Sequence, residues 1–379
     1  MRGLLLAAAL LALAACGRET AQPATPAGVA AATSIDFAHV ANYAAAPLPA
    51  YFDETVAALD NSPASNPVDD RVATLGRVLF YDLRLSTNDR ASCASCHQQR
   101  FGFTDPMRFS NGISTAGTTD LHAMRLGNLR YWRPGTMFWD RRAATAEAQA
   151  SQPFHSLVEM GWGGPAGGID ALIRKMAATA YYPDLFAWAF GNTTITEPLI
   201  QRALAQFVRA MVSHDSRWDS GYAQVFSPTA PNRALDIDLP NFTAEENRGR
   251  HLFVTDVGKG GAGCASCHLP PTFALAADAR NNGLDAGERR LFKAPSLRGV
   301  GLTGPYMHVG RFATLEEVID FYASEVRDGP ALDPRLREGD EPRRLVLSAA
   351  DRAALVAFLE TLDDPVLTTD PRFGDPFRR

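Results

Sequence analysis

The pentapeptide Cys-Ala-Ser-Cys-His occurs twice, as Cys93-Ala94-Ser95-Cys96-His97 and as Cys264-Ala265-Ser266-Cys267-His268. In C-x-x-C-H the two thiols add to the vinyl groups of a haem, and the short loop then holds the adjacent imidazole beneath the iron. A redox dithiol or half of a zinc site would also use paired thiols, but neither calls for histidine directly after the second cysteine in both copies. The pattern predicts two covalently bound c-type haems, with Cys93, Cys96, Cys264 and Cys267 as attachment points and His97 and His268 as proximal ligands.

What each haem does then depends on the sixth position of its iron. A strong second ligand favours electron transfer, whereas an open site lets a small molecule bind. After His268 the candidate donors are Met307, His308 and Tyr322. Near the first motif stand Met107, His122, Met124, Met137, His155 and Met160, and their spacing does not choose among them. A Met in such a stretch is more often packing than ligand.

The surroundings of the two motifs suggest an internal duplication. Gly76-Arg77-Val78-Leu79-Phe80 precedes the first and Gly249-Arg250-His251-Leu252-Phe253 the second, each reading as a helix that leads into the attachment loop. Helical periodicity recurs at 168–178, 182–190, 196–214, 314–325 and 348–362. Thr243-x-x-Glu246 and Thr314-x-x-Glu317 read as capping boxes. Alternating strand-like runs are scarce, so the fold class is all-α, mostly helices and long loops. The Pro-, Asn- and Asp-rich stretch 226–241 marks the boundary between an N-terminal unit, 49–235, and a C-terminal unit, 236–379.

The 379 residues suffice for two or three domains, and 46% hydrophobic with 21% charged residues is ordinary for a globular chain. Its one long apolar run, Leu4 to Ala15 after Arg2, has the form of an export signal and is too short to cross a bilayer. Leu13-Ala14-Ala15-Cys16 resembles a bacterial lipobox, which makes 1–16 a lipoprotein signal peptide and Cys16 the lipid-bearing N-terminus. The Ala-, Pro- and Thr-rich residues 17–48 read as a flexible tether. Of five cysteines, Cys16 and the four of the motifs account for all, leaving none for a disulfide.

From about residue 70 to 362 the chain resembles the bacterial di-haem cytochrome c peroxidases and their MauG-type relatives. The resemblance rests on both C-x-x-C-H motifs and on Phe138-Trp139-Asp140, Gln149 with Glu159-Met160, Pro295-Ser296-Leu297-Arg298, and Pro305-Tyr306-Met307-His308 followed by Thr314-Leu315-Glu316-Glu317. It implies two cytochrome c-like haem domains, the N-terminal one reactive towards peroxide and the C-terminal one passing electrons or storing an oxidising equivalent. Gln149 and Glu159 match the distal pair of the reactive haem, and Pro153 falls at a distal-pocket position. Splitting the O–O bond needs a group that takes a proton from one oxygen and returns it to the other, and desolvation would suit Glu159 to do both. Trp139 matches a tryptophan lying between the haems, although Arg141 stands where the family has Gly or Glu. For the second haem the resemblance points to Tyr322 as sixth ligand, with Met307 the alternative.

Two departures from the family pattern carry expectations. The loop Gly112-Ile113-Ser114-Thr115-Ala116-Gly117 lacks the histidine that closes the reactive haem in the peroxidases, so the first haem is expected open, with His122 the nearby residue able to contradict this. Thr303 and Pro305 match ligands of an interdomain calcium ion, but His122 replaces an Asn of that site, and a hard cation prefers oxygen to imidazole. The resemblance implies peroxide reduction with electrons from a small cytochrome c or cupredoxin. Oxidation of Trp or Tyr side chains in a partner protein and a non-catalytic electron carrier are the alternatives. A lipid-anchored place at the outer membrane, facing the periplasm, follows from the leader; nucleic acid is not an expected partner.

Overall fold

The computed structural model describes residues 26–113 and 117–378. Among these the regular structure is helical apart from two short antiparallel pairs, His268–Leu269 with Ala274–Leu275 and Arg337–Glu338 with Glu341–Pro342. The signal peptide, Cys16 and the loop residues Ser114 to Ala116 lie outside the described residues.

Each attachment loop is fed by a helix whose glycine sits at a helix crossing. The Asp70–Tyr81 helix starts at Asp69, whose carboxylate accepts from the amides of Arg71 and Val72. It crosses the Glu197–Arg209 helix at Gly76, where a Cβ would run into the Ala203 carbonyl and Phe207. The second half repeats this: the Ala244–Val254 helix crosses Ala349–Glu360 at Gly249, against the Ala354 carbonyl and Phe358. The shared glycine is thus the missing side chain that lets two helices approach closely. Both expected capping boxes form, Thr243 with Glu246 and Thr314 with Glu317.

Three periodic segments keep close to their expected bounds, as Gly168–Ala178, Tyr182–Phe190 and Ala349–Glu360. The segment 196–214 stops early, at Arg209. Beyond it the polar backbone finds tertiary partners: Met211 O accepts from the Asn128 amide, and Ser213 N donates to Asn128 Oδ1 at 2.7 Å. The segment 314–325 changes type midway, from the α-helix Leu315–Asp320 to a π-helical turn, Phe321–Glu325.

Two large apolar cores follow the two halves, with exchanges between them. The first gathers Leu75, Leu79, Phe186 and Phe207, and also takes Val29, Phe37 and Tyr43 from one end of the chain and Leu367 and Phe373 from the other. The second, around Phe253, Phe273 and Phe358, takes Tyr51, Trp218 and Tyr222 from before position 226. Residues 26–48 are therefore not a free tether. Ala27–Ala32 is helical, Val29 is fully buried, Thr33 bridges to Phe377, and Tyr43 Oη donates to Arg372 O at 2.7 Å. Composition suggests flexibility there, but Val29, Phe37 and Tyr43 bury their side chains in the first core, Phe37 against Trp188 and Tyr43 against Phe373 of the returning C-terminal segment. The chain also changes cores at 212–217, ahead of the Pro-rich 226–241 stretch expected to separate the halves, because Trp218 and Tyr222 are large rings that only the second core buries.

Candidate functional site

Cys93–Cys96 forms one helical turn, started by the Ser92 amide donating to Ser95 Oγ at 3.0 Å. His97 follows, and its Nδ1 lies 3.0 Å from the carbonyl of Phe103. A carbonyl can only accept, so Nδ1 carries the proton and Nε2 is the unprotonated nitrogen, as a metal ligand must be. Burial holds the His97 pKa below its ordinary value, which keeps the ring in the neutral form that binds metal. The thiols of Cys93 and Cys96 are free, and burial pushes them up to about 12 and about 11.

A cavity of about 570 Å³ lies against Cys96 and His97. Gln149, Pro153 and Glu159 form part of its wall, so the structure brings the expected distal residues to the first motif. Their position has a local cause. The Ala146–Ala150 helix is capped by Thr145, and its Glu147 grips the buried Arg209 with two bonds of 2.5 and 3.0 Å, fixing the turn that carries Gln149. Glu159 follows a loop in which its own amide donates to Ser156 Oγ at 3.1 Å. Burial raises the Glu159 carboxyl above its usual range, opposed by the Ser156 hydroxyl and the Arg142 guanidinium. The loop that lacks histidine is tied to this wall, since Ile113 N donates to Val158 O at 2.8 Å.

His122 is buried and held by both ring nitrogens. Nδ1 lies 3.2 and 3.3 Å from the Met107 and Arg108 carbonyls, and Nε2 lies 3.2 Å from Thr104 Oγ1. Its ring lines the cavity but is committed to protein partners, so reaching an iron would break three contacts.

Around the second motif two adjoining voids of about 380 and 140 Å³ are both lined by Cys264, His268, Met307 and Tyr322. His268 Nδ1 is buried and has no hydrogen-bond partner, and burial pushes the ring down to about 4. Tyr322 lies on the π-helical turn, a distortion that often marks functional sites. Its hydroxyl and the Met307 sulfur are both 3.3 Å from Asn282 Nδ2, so the two expected donors converge on one amide. Burial pushes the Tyr322 hydroxyl up to about 12. Met307 is held at a left-handed φ of 70°.

Trp139 lines the cavities of both motifs. Its Nε1 donates to His122 O at 2.8 Å, and its carbonyl accepts from Lys293 N at 2.7 Å. The flanking Phe138 and Arg141 have φ of 67° and 60°. A residue other than glycine in that region is costly, so the surrounding structure imposes this loop shape. Arg141 offsets it with two bonds of 2.7 Å to the Ala279 and Phe292 carbonyls, across the two halves.

At two of the positions offered for calcium, Thr303 and His122, the side chains are committed to protein partners. The Thr303 hydroxyl accepts from the Arg125 guanidinium and donates to Val300 O at 3.1 Å, and His122 is turned to other partners. A fixed positive charge at Thr303 repels a second one.

Sequence reasoning did not find Asn282, Arg125 or Lys293. Only the lysine left a trace, standing as a lone charge between Phe292 and Ala294.

The family profile described as "Di-haem cytochrome c peroxidase" matches residues 70–224. The methylamine utilization protein MauG of Methylorubrum extorquens is 32% identical over 335 residues, covering 82% of this chain and 83% of that one. This chain belongs to the di-haem cytochrome c peroxidase and MauG family. The cytochrome c551 peroxidase of Nitrosomonas europaea is 29% identical over 68% of this chain and 74% of its own. Among solved structures, a MauG-like protein associated with microbial copper homeostasis superposes with a TM-score of 0.68 at 32% identity, covering 88% of this chain and 99% of that one. The protein is accordingly an oxidoreductase, and the family's cofactor is a pair of c-type haems. The residues here fit that cofactor. Each half offers two free thiols, an imidazole that burial keeps neutral at the wall of a void, and several hundred Å³ of space, mainly apolar beside His268 and of mixed polarity beside His97.

Proposed function

We propose that the protein consumes hydrogen peroxide in the cavity beside His97, within an N-terminal unit (49–235), and exchanges electrons through the C-terminal unit (236–379) at His268. One asymmetry supports this reading: Gln149 and Glu159 share the first cavity, whereas Tyr322 and Met307 converge within the second. When bound, haem supplies the iron that takes peroxide on one side and the electron-accepting centre on the other. Glu159 takes a proton from one peroxide oxygen and returns it to the other, a double role that suits a carboxyl whose pKa burial raises. Gln149 orients the bound oxygen pair with its amide, and Trp139 carries electrons between the cavities. The electron donor is a small exported cytochrome c or cupredoxin; the net charge of −5 is compatible with a basic partner.

A second reading keeps the same site but draws electrons from Trp or Tyr side chains of a partner protein. Tyr322 favours it, because an anionic oxygen ligand stabilises oxidised iron. In both readings the protein is exported to the periplasm and held at the outer membrane by a lipid on Cys16. No helix among the described residues is long and apolar enough to cross a membrane.

The test is a ferric EPR spectrum before and after one equivalent of peroxide, followed by addition of reduced cytochrome c. A high-spin signal lost on peroxide, with steady-state turnover of the cytochrome, is the expected result. An oxidised state that persists for minutes and is discharged only by a protein substrate selects the second reading. Two low-spin signals indifferent to peroxide reduce the protein to an electron carrier and end both.

A further inference from the structure

Two cations, Lys293 and Arg125, line the haem cavities and a third, Arg141, lies near Lys293, all with only neutral partners for their hydrogen bonds. Lys293 is 3% exposed and its ammonium donates to Met124 Sδ at 3.4 Å. Arg125, 8% exposed, donates to Ser296 O at 2.6 Å and to the Thr303 hydroxyl. Arg141 spends one nitrogen on the Ala279 and Phe292 carbonyls, and its buried Nε has no partner. A buried cation without a counter-ion is strongly disfavoured, and a thioether is a weak acceptor. Lys293 accordingly is pushed down to about 7, by burial first and then by Arg141 and Arg125. If this position only filled space, an apolar side chain would do so without that penalty; a lysine implies an anion that the polypeptide does not supply.

The position of Lys293 narrows what that anion is. Its side chain lines both the cavity beside His97 and the larger void beside His268, while Arg125 lines the smaller void beside His268. Each haem carries two propionate carboxylates, the only anionic groups at the periphery of the macrocycle. We infer that Lys293 is a counter-ion shared by both haems, its ammonium taking a propionate carboxylate from each, with Arg125 a further partner on the side of the second. The backbone holds the charge in place: Lys293 N donates to Trp139 O at 2.7 Å, and Phe292 O accepts from Arg141. A single positive charge beside both centres favours the reduced form of each iron and links their potentials through the strap that also holds Trp139. The inference rests on the presence of two haems and is independent of what the first one reacts with.

The test uses the holoprotein and three variants, K293M, K293Q and K293R, with haem content measured as pyridine haemochrome. Resonance Raman propionate bending modes, recorded with excitation selective for each haem, should shift in both haems of K293M and K293Q and stay close to wild type in K293R. Spectroelectrochemical titration should show both midpoint potentials falling together in K293M, by about a factor of ten in each one-electron equilibrium constant, or about 59 mV. If K293M loses haem, K293Q and K293R carry the comparison, since they differ in charge while both keep a polar head. Unchanged propionate modes and potentials, or a change confined to one haem, would overturn the inference, whatever the reactivity towards peroxide.

Discussion

Glu159 and Tyr322 are both acids raised by burial, and the two sites need opposite responses to it. In the proposed role of Glu159 a carboxyl that is easily neutral is useful, since it would give back the proton it takes. On the proposed ligation Tyr322 would have to be a phenolate, since the neutral form is a poor ligand, and the iron and the Asn282 amide would together favour it. The first point gives a pH signature. Because desolvation lifts the folded pKa of Glu159 above its unfolded value, ionising it costs stability: its favourable contribution is complete below the unfolded pKa and is lost as pH rises through the folded one. The peroxide rate, which needs the carboxylate to accept the proton, should therefore rise with pH through a limb above the ordinary carboxylate range. E159Q should remove that limb and lower the second-order rate by about 10²- to 10⁴-fold, and R142A should move it to higher pH because the guanidinium opposes the shift. Stopped-flow rates across pH check both, and an E159Q variant with an unaltered profile would take the proton role away from this residue. For the second point, N282L removes the amide that favours the phenolate, so the pH below which tyrosinate-to-iron absorption is lost should rise; a pH titration of the ferric holoprotein reads this directly.

The elements make such residues meet through two helix crossings of one design. A methyl group at Gly76 or Gly249 would collide with a backbone carbonyl of the partner helix, which cannot yield as a side chain can. G249A should destabilise the second half by about 1–3 kcal/mol, the usual cost of overpacking, with urea midpoints as the measure and haem retention at Cys264 and Cys267 as a second readout. The Pro295–Arg298 strap is held by another such contact. Arg298 pairs with Asp219 at 2.5 Å, both buried, and its guanidinium lies 4.8 Å from the Trp218 ring. R298A should cost about 3–5 kcal/mol, because Asp219 would remain as an uncompensated buried charge. Helices with an apolar face and a cap were legible in the sequence. The loop shapes at Phe103, Phe138, Arg141 and Met307 were not, since all four adopt left-handed φ without being glycine, a choice made by their surroundings.

At the scale of the molecule the two halves are interlocked. The C-terminal tail returns to the first half, where Tyr81 Oη donates to Phe373 O at 2.6 Å, Arg77 Nε to Gly374 O at 2.8 Å and Gln99 Nε2 to Asp370 O at 2.8 Å. Deleting residues 365–379 should therefore weaken the N-terminal site and spare the other, with EPR showing loss or alteration of the first haem before the second. The same interlocking sets the limit of sequence reading. Haem attachment is a local chemical pattern, and Cys93 to His97 and Cys264 to His268 announce it without any knowledge of the fold. The roles proposed for Gln149, Glu159, Trp139, Tyr322 and Met307 were legible only through resemblance to a family, because they depend on what these residues face across the chain. Arg125, Lys293 and Asn282 had no local signal strong enough to find them. Their importance comes from burial without a counter-ion, or from an amide shared by two donors, and such conditions arise only when segments more than a hundred residues apart, or loops 25 and 40 residues apart, close on one another. The packing of residues 26–48 against the tail belongs to the same class, since composition records how flexible a segment is alone and not what surface it meets.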